Sequence, residues 1–266
     1  MEILGYFSAI IIGLALGLIG GGGSILTVPV MVYLFGISPM LATAYSLFIV
    51  GVSSLFGVYK NIQLKLINYK VALVFALPSL ITVFLTRRML VPWIPDTIFS
   101  IGGLVVTKSL GIMIFFAIVM LLAAWSMIRS GNTDIDKKDQ GISLNIPVII
   151  AEGIVVGVVT GLVGAGGGFL IIPVLVLMVG LSMKEAVGTS LLIIAVKSLI
   201  GFMGDLGASQ EIDWMFLGVF TSLAVIGIIL GVYLTKYISG TKLKTSFGWF
   251  VLVMAIYILS KELLMN

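Results

Sequence analysis

Long apolar runs separated by short polar segments organise this chain from end to end. A helix needs about 20 mostly apolar residues to cross the roughly 30 Å hydrocarbon core of a bilayer. Six runs meet or approach that length, and we predict that each crosses once: residues 42–59, 69–86, 110–128, 186–203, 214–235 and 246–260. Because these runs do not alternate apolar with polar residues, they favour a helical bundle over a membrane β-barrel.

Two further apolar stretches, residues 3–35 and 144–179, are too long for one straight crossing, at about 50 Å each by the helical rise. Glycines interrupt both, at residues 20–23 and at residues 164–168. Since glycine is a poor helix former, we predict that each stretch is two short helical arms joined by an unwound turn inside the membrane. The arms are residues 3–19, 25–35, 144–163 and 169–179. With the six crossings, they make ten helical segments.

The chain also repeats itself. An offset of 144 residues aligns residues 13–61 with residues 157–205 without a gap, and about 20 of the 49 pairs are identical. The identical pairs include Gly17/Gly161, Gly20/Gly164, Gly22/Gly166, Gly23/Gly167, Pro29/Pro173, Gly36/Gly180, Ser38/Ser182 and Ser46/Ser190. We interpret this as a duplication, with a first transmembrane repeat at 1–128, a polar cytoplasmic linker at 129–143 and a second transmembrane repeat at 144–266.

Charges in the loops indicate that the two repeats are inverted. The connection at 60–70 carries three lysines and no carboxylate, whereas its equivalent at 204–213 carries three carboxylates and no lysine or arginine. Since cytoplasmic loops are rich in lysine and arginine, equivalent loops should lie on opposite faces, and each broken stretch should be a hairpin. Arg87, Arg88 and Lys108 conflict with this scheme, because it places them outside.

Composition narrows the function. Only 10% of the residues are charged, against about 25% in soluble domains, so the chain is an integral membrane protein. It has no Cys and no His, which removes thiol and imidazole chemistry and most zinc or haem ligation. We therefore expect no cofactor and no enzyme activity. The scattered cations form no basic stripe, so no nucleic acid partner is expected.

Inverted repeats with broken helices are typical of secondary transporters, which bind substrate near the bilayer midplane. Glycine turns expose backbone N–H groups, and a helix that begins there adds the positive end of its dipole, so together they favour a small anion. The candidate backbone positions are Gly20, Gly22, Gly23, Gly164, Gly166, Gly167 and Gly168. The candidate side chains are Ser24, Thr27, Ser46, Thr189, Ser190 and the intramembrane cation Lys197.

Each of these residues also has a plainer interpretation. The glycines could serve close helix packing, and the serines could bond back to their own helices. Lys197 could extend to the interface near Asp205, or pair with Glu152. These alternatives stay open at this point.

The duplicated pattern G-x3-G-x2-G-x-G-G-x5-P, from Gly13 to Pro29 and from Gly157 to Pro173, resembles the TauE/SafE sulfite-exporter family of TSUP-type membrane permeases. The second copy departs from the first at Ala165 and Gly168. The resemblance covers essentially the whole chain and implies transport, usually export, of sulfite, sulfonates or related small anions across the inner membrane. An anion channel, an intramembrane enzyme and an assembly factor are the alternatives. The exact anion, the coupling ion and the oligomeric state stay open, with a homodimer among the options.

Overall fold

Helices make up nearly all of the fold. The computed structural model describes residues 2–101, 104–129, 146–164, 166–206, 212–235, 237–238 and 240–264. The first part of the chain forms α1 (Glu2–Ile19), α2 (Ser24–Phe35), α3 (Pro39–Gln63), α4 (Tyr69–Leu85), a π-helical turn (Thr86–Leu90), α5 (Val91–Trp93), β1 (Thr97–Ile101), β2 (Leu104–Thr107) and α6 (Lys108–Arg129). The second part forms α7 (Ile146–Val163), α8 (Gly168–Leu177), α9 (Met183–Asp205), α10 (Trp214–Leu234) and α11 (Gly240–Leu264).

All ten predicted helical segments are present among the described residues. Six helices there are long and apolar enough to cross a bilayer, at Pro39–Gln63, Tyr69–Trp93, Lys108–Ser126, Ile146–Val163, Met183–Asp205 and Trp214–Leu234. The chain is therefore a multi-pass membrane protein with a helical fold. Apart from Arg129, the predicted linker at 129–143 lies outside the described residues.

Two local features differ from the prediction. The crossing expected to end at residue 86 continues through the π-helical turn to Trp93, because Pro92 is tolerated where a helical segment begins. The segment after it contains β1 and β2, which pair antiparallel. Its β-branched and aromatic residues flank two glycines, which is a hairpin signal that the apolar-run criterion does not detect.

The centre of the bundle is the pair α3 and α9, which are equivalent helices of the two repeats. Phe48 packs against Phe202 with the rings tilted, a Cβ at Gly51 would meet Leu199, and a Cβ at Gly57 would meet Leu191. Because the contacts advance in opposite directions along the two helices, α3 and α9 are antiparallel. Two equivalent antiparallel helices imply a symmetry axis perpendicular to both, which fits inverted repeats.

The outer helices exchange partners between the repeats. The first helix of each repeat packs on the fourth helix of the other, α1 on α10 and α7 on α4, through glycines. A Cβ at Gly13 would strike the Ala224 carbonyl, and one at the equivalent Gly157 would lie 2.7 Å from the Ser79 carbonyl oxygen. Since Gly17 and Gly231 also meet backbone to backbone, these glycines serve close helix packing of the small-xxx-small kind.

The first broken stretch is a hairpin, as predicted. A Cβ at Gly5 would collide with the ring of Phe35, and one at Gly23 would collide with the carbonyl of Ile12. The start of α1 therefore lies beside the end of α2, and the two arms return to the side from which they entered.

We predict that single cysteines introduced at Lys65 and Ser209 react with impermeant maleimide from opposite faces of the membrane. The two sites follow the ends of α3 and α9, which are antiparallel, although Ser209 itself lies outside the described residues. The chain has no native cysteine, so the labelling background is clean. Reaction of both sites from the same face would contradict the inverted arrangement.

We also predict that Gly227→Ala destabilises the protein by about 1–3 kcal/mol, the usual cost of overpacking. A Cβ at Gly227 would collide with the carbonyl of Ile10 and lie 2.8 Å from the Leu14 nitrogen. Gly218→Ala on the same helix is the matched control, because no atom of the described residues lies within 4 Å of its added Cβ. The melting temperature in detergent should fall for Gly227→Ala only. Equal melting temperatures for the two variants would mean that α1 and α10 are not closely packed.

Candidate functional site

The two glycine turns meet in the middle of the bundle. A Cβ at Gly21 would collide with Gly168, and a Cβ at Gly168 would collide with Gly21, so the backbones touch. Ile194 of α9 lies against both glycines. α2 begins at Ser24 and α8 begins at Gly168, so two helix N-termini converge here with their positive dipole ends.

Hydroxyl groups hold the first turn in place. Gly20 has a φ of 70°, and its carbonyl accepts a 2.6 Å hydrogen bond from Ser190 Oγ of α9. Ser24 Oγ donates to the Gly21 carbonyl at 2.5 Å, and Thr27 Oγ1 donates to the Gly23 carbonyl at 3.3 Å. Ser24 and Thr27 therefore bond back to their own turn, while Ser190 ties the turn to the central helix.

The second turn depends on glycine for its conformation. Gly164, Gly166 and Gly167 have φ values of 71°, 60° and 67°, in the left-handed region that other residues rarely adopt. The space is also closed, since a Cβ at Gly164 would collide with Thr43 and one at Gly166 would lie 2.7 Å from Val50. The second turn thus lies against α3 at a distance that only glycine permits.

Lys197 lies at this second turn. Its side chain is 1% exposed, and Nζ lies 3.4 Å from Thr160 Oγ1 of α7. A Cβ at Gly167 would lie 2.8 Å from Nζ. This burial excludes extension to the interface. Glu152 is eight residues from Thr160 on α7, about 12 Å along the helix, so it is not the counter-ion of this lysine.

A second buried cation, Arg87, was missed by the sequence reasoning. It lies on the π-helical turn that follows α4, is 2% exposed, and points into the bundle rather than into an outer loop. A Cβ at Gly164 would lie 2.5 Å from Arg87 Nη2. Arg87 Nε forms an ion pair with Asp205 Oδ2 at 3.6 Å. The neighbouring Arg88 is exposed.

Several polar groups around the turns have no hydrogen-bond partner. Within the described residues, the buried hydroxyls of Ser46, Ser53, Ser54 and Ser198 are unpaired, as are Nε and Nη2 of Arg87. Ser198 Oγ lies 3.4 Å from a Cβ built on Gly166. The turn amides predicted to bind an anion, at Gly22, Gly23, Gly166 and Gly167, donate no hydrogen bond within the same described ranges. Unpaired buried donors are rare in folded proteins, and two of these, Ser198 Oγ and Arg87 Nη2, lie against the second turn.

Two predicted residues have other contacts. Thr189 Oγ1 accepts a 3.0 Å hydrogen bond from the backbone nitrogen of Asn68, so it fastens the start of α4 to α9. Gly23 faces Ile12 and Leu16 of α1, where it serves the packing of its own hairpin. The remaining predicted residues lie at one of the two turns or on the helix beside it.

The site is closed and its charge is one-sided. Every described residue of both turns is buried. Lys197 and Arg87 both lie against the second turn, whereas the first repeat has Ser53 at the position equivalent to Lys197. Among the described residues, the groups that lie against the first turn are backbone atoms, the Ser190 hydroxyl and apolar side chains such as those of Val187 and Ile194.

Comparisons with known proteins agree with this architecture. The model of the family described as sulfite exporter TauE/SafE matches residues 6–258. A probable membrane transporter protein of Xylella fastidiosa (strain 9a5c) is 28% identical over 253 residues, which cover 94% of this chain and 91% of the relative. The probable membrane transporter protein YunE of Bacillus subtilis (strain 168) is 27% identical over 233 residues, 78% of this chain and 80% of YunE. No solved structure matches. With the family model covering almost its whole length, the chain belongs to the sulfite exporter TauE/SafE family.

Proposed function

We propose that this protein is a secondary transporter that moves sulfite, sulfonates or related small organic anions across the inner membrane, with export as its direction. The anion is held between the two glycine turns, near the midplane. The family description names sulfite export, and the curated relatives are named as probable membrane transporters. The two halves at 1–128 and 144–266 act as the two repeats of the carrier.

One observation carries the proposal: the two turns meet backbone to backbone, and two buried cations lie against one of them. A buried cation without a full counter-charge costs several kcal/mol. The described residues supply a single carboxylate at this place, the partly buried Asp205, which pairs with Arg87. A passing anion supplies the missing charge, and the free turn amides supply hydrogen bonds to its oxygens.

The closed centre supports a carrier over a channel. A channel needs a continuous water-filled path, whereas the described residues of both turns, and the described residues that touch them, are buried. Substrate reaches the site only when one part of the bundle moves against the other, which is alternating access. The unlike charge of the two turns gives them unequal roles, with the second binding charge and the first supplying hydroxyls and dipoles.

We predict that Gly166→Ala abolishes sulfite efflux from proteoliposomes. The new methyl group would lie 2.7 Å from Val50 and fill the space in which backbone and substrate meet. Gly180→Ala is the matched control, because Gly180 also has a positive φ, at 80°, but the part of the chain that the structure describes places no atom within 4 Å of the added Cβ. Each variant carries backbone strain of about 1–2 kcal/mol. Efflux retained by both folded variants would assign Gly166 to helix packing.

We further predict that Lys197→Met raises the apparent KM for sulfite or a sulfonate at least tenfold, about 1.4 kcal/mol. Methionine keeps the apolar stem and removes the charge, and Lys197→Arg should retain part of the affinity. Lys184→Met is the control, since Lys184 is exposed on the same helix. An unchanged KM in Lys197→Met would leave anion binding to the glycine turns alone.

A further inference from the structure

Arg87 and Asp205 form an ion pair of poor geometry inside the protein. The contact from Nε to Oδ2 is 3.6 Å, longer than a hydrogen bond, and the two side chains are 1% and 14% exposed. Within the part of the chain that the structure describes, Arg87 Nε, Arg87 Nη2 and Asp205 Oδ2 all lack a hydrogen-bond partner. A pair that served stability alone would be expected to meet these hydrogen bonds, because removing two charges from water is costly.

The pair of Arg87 and Asp205 lies next to the second glycine turn. Arg87 Nη2 lies against Gly164, the first residue of the second turn, while its Nε faces the carboxylate. Arg87 Cβ lies 3.0 Å from a Cβ built on Gly204, so the arginine stem packs against the end of α9. The guanidinium thus has one nitrogen on the turn and another on Asp205.

The position of Asp205 allows its carboxylate to move away from Arg87. It is the last residue of α9, and it is the more exposed member of the pair. A carboxylate at the end of a helix can rotate toward water without disturbing the helix, whereas the buried arginine has no such route.

We propose, on the basis of the function proposed above, that Arg87 is a second anion-binding cation and that Asp205 is an internal stand-in for the substrate. Before an anion binds, the Asp205 carboxylate pairs with the Arg87 guanidinium. An incoming oxyanion then replaces Asp205 as the partner of the guanidinium, and the Asp205 carboxylate moves toward its exposed side.

This arrangement selects for the chemical class of the substrate. A guanidinium presents two parallel N–H groups that match two oxygens of one group, as in a sulfonate or sulfite. Lys197, on the other side of the same turn, acts as a point charge near Gly167. An anion with at least two oxygens on one centre engages both cations, whereas a halide of the same charge engages each less well.

The test measures equilibrium binding of radiolabelled sulfite, handled anaerobically, and of methanesulfonate to the purified full-length chain in detergent. Four variants are compared with the wild type: Arg87→Gln, Arg87→Lys, Asp205→Asn and the double variant Arg87→Gln/Asp205→Asn. Arg88→Gln is the matched control, because Arg88 is adjacent but exposed. Size-exclusion profiles and melting temperatures monitor folding, and if Arg87→Gln does not fold, Arg87→Lys alone reports on the role of the guanidinium.

A competing carboxylate and a purely structural salt bridge predict opposite changes in the Kd for the anion when Asp205 is replaced by Asn. If Asp205 competes with the anion, its removal lowers the Kd by about threefold or more, and Arg87→Gln raises it by about tenfold or more. Arg87→Lys, which keeps charge without the paired N–H groups, gives an intermediate Kd. The double variant stays weak, because the binding cation is absent. Chloride should bind the wild type more weakly than sulfite does, and Arg87→Gln should weaken chloride binding by a smaller factor than sulfite binding.

A structural salt bridge gives another pattern, which would overturn the inference: Asp205→Asn and Arg87→Gln both weaken binding and lower the melting temperature, and the double variant recovers. Unchanged sulfite affinity in Arg87→Gln and Arg87→Lys would also overturn it, while leaving the proposed function in place. Failure of the wild type to bind either sulfite or methanesulfonate would instead overturn the proposed function, and this inference with it.

Discussion

The backbone contact between Gly21 and Gly168 is the constraint on which the bundle depends. Inside a bilayer no water can satisfy exposed peptide groups, so unwound chain is tolerated only where protein buries it. α2 and α8 have 12 and 10 residues, too few to cross the hydrocarbon core. The N-termini of α2 and α8 must therefore lie within the protein, where each turn helps to shield the other from lipid. Residues with a side chain at this contact would separate the turns and expose both to lipid.

A symmetric scaffold here carries asymmetric chemistry. α3 and α9 cross as equivalent helices, and the same glycine contacts recur at α1 with α10 and at α7 with α4. The charge does not follow that symmetry, since Ser53 stands where the second repeat has Lys197. Duplication supplies two matched turns, and later substitution can place the cations on one of them. The two equivalent turns therefore differ in electrostatic potential, and also in local backbone conformation, since Gly23 has a φ of −66° where Gly167 has a φ of 67°.

Local signals account for most of what the sequence could predict. Glycine runs predict the broken helices because low helix propensity acts within a few residues, and the Ser182 and Glu185 capping box marks the start of α9 for the same reason. The dual use of the glycines could not be separated in advance: Gly13 and Gly17 pack against α10, while Gly20 and Gly164 form turns. Arg87 could not be placed either, because an arginine at the end of an apolar run is typical of an interface. Only its approach to Gly164 and Asp205, distant in sequence, shows that it is buried.

Because helices of one repeat pack on helices of the other, some contacts of the first half can form only after the second half has been synthesised. α1 leaves the ribosome first, but α10, onto which its glycine face packs, begins only at Trp214. Until then the glycine face of α1 lacks its α10 partner, although α1 already packs on α2, and contacts this distant in sequence form slowly. The first half inserted alone would thus be an incomplete intermediate, open to proteases and to pairing with another chain. Cells that make this protein should benefit from an insertion factor that shields the first hairpin until the second half arrives.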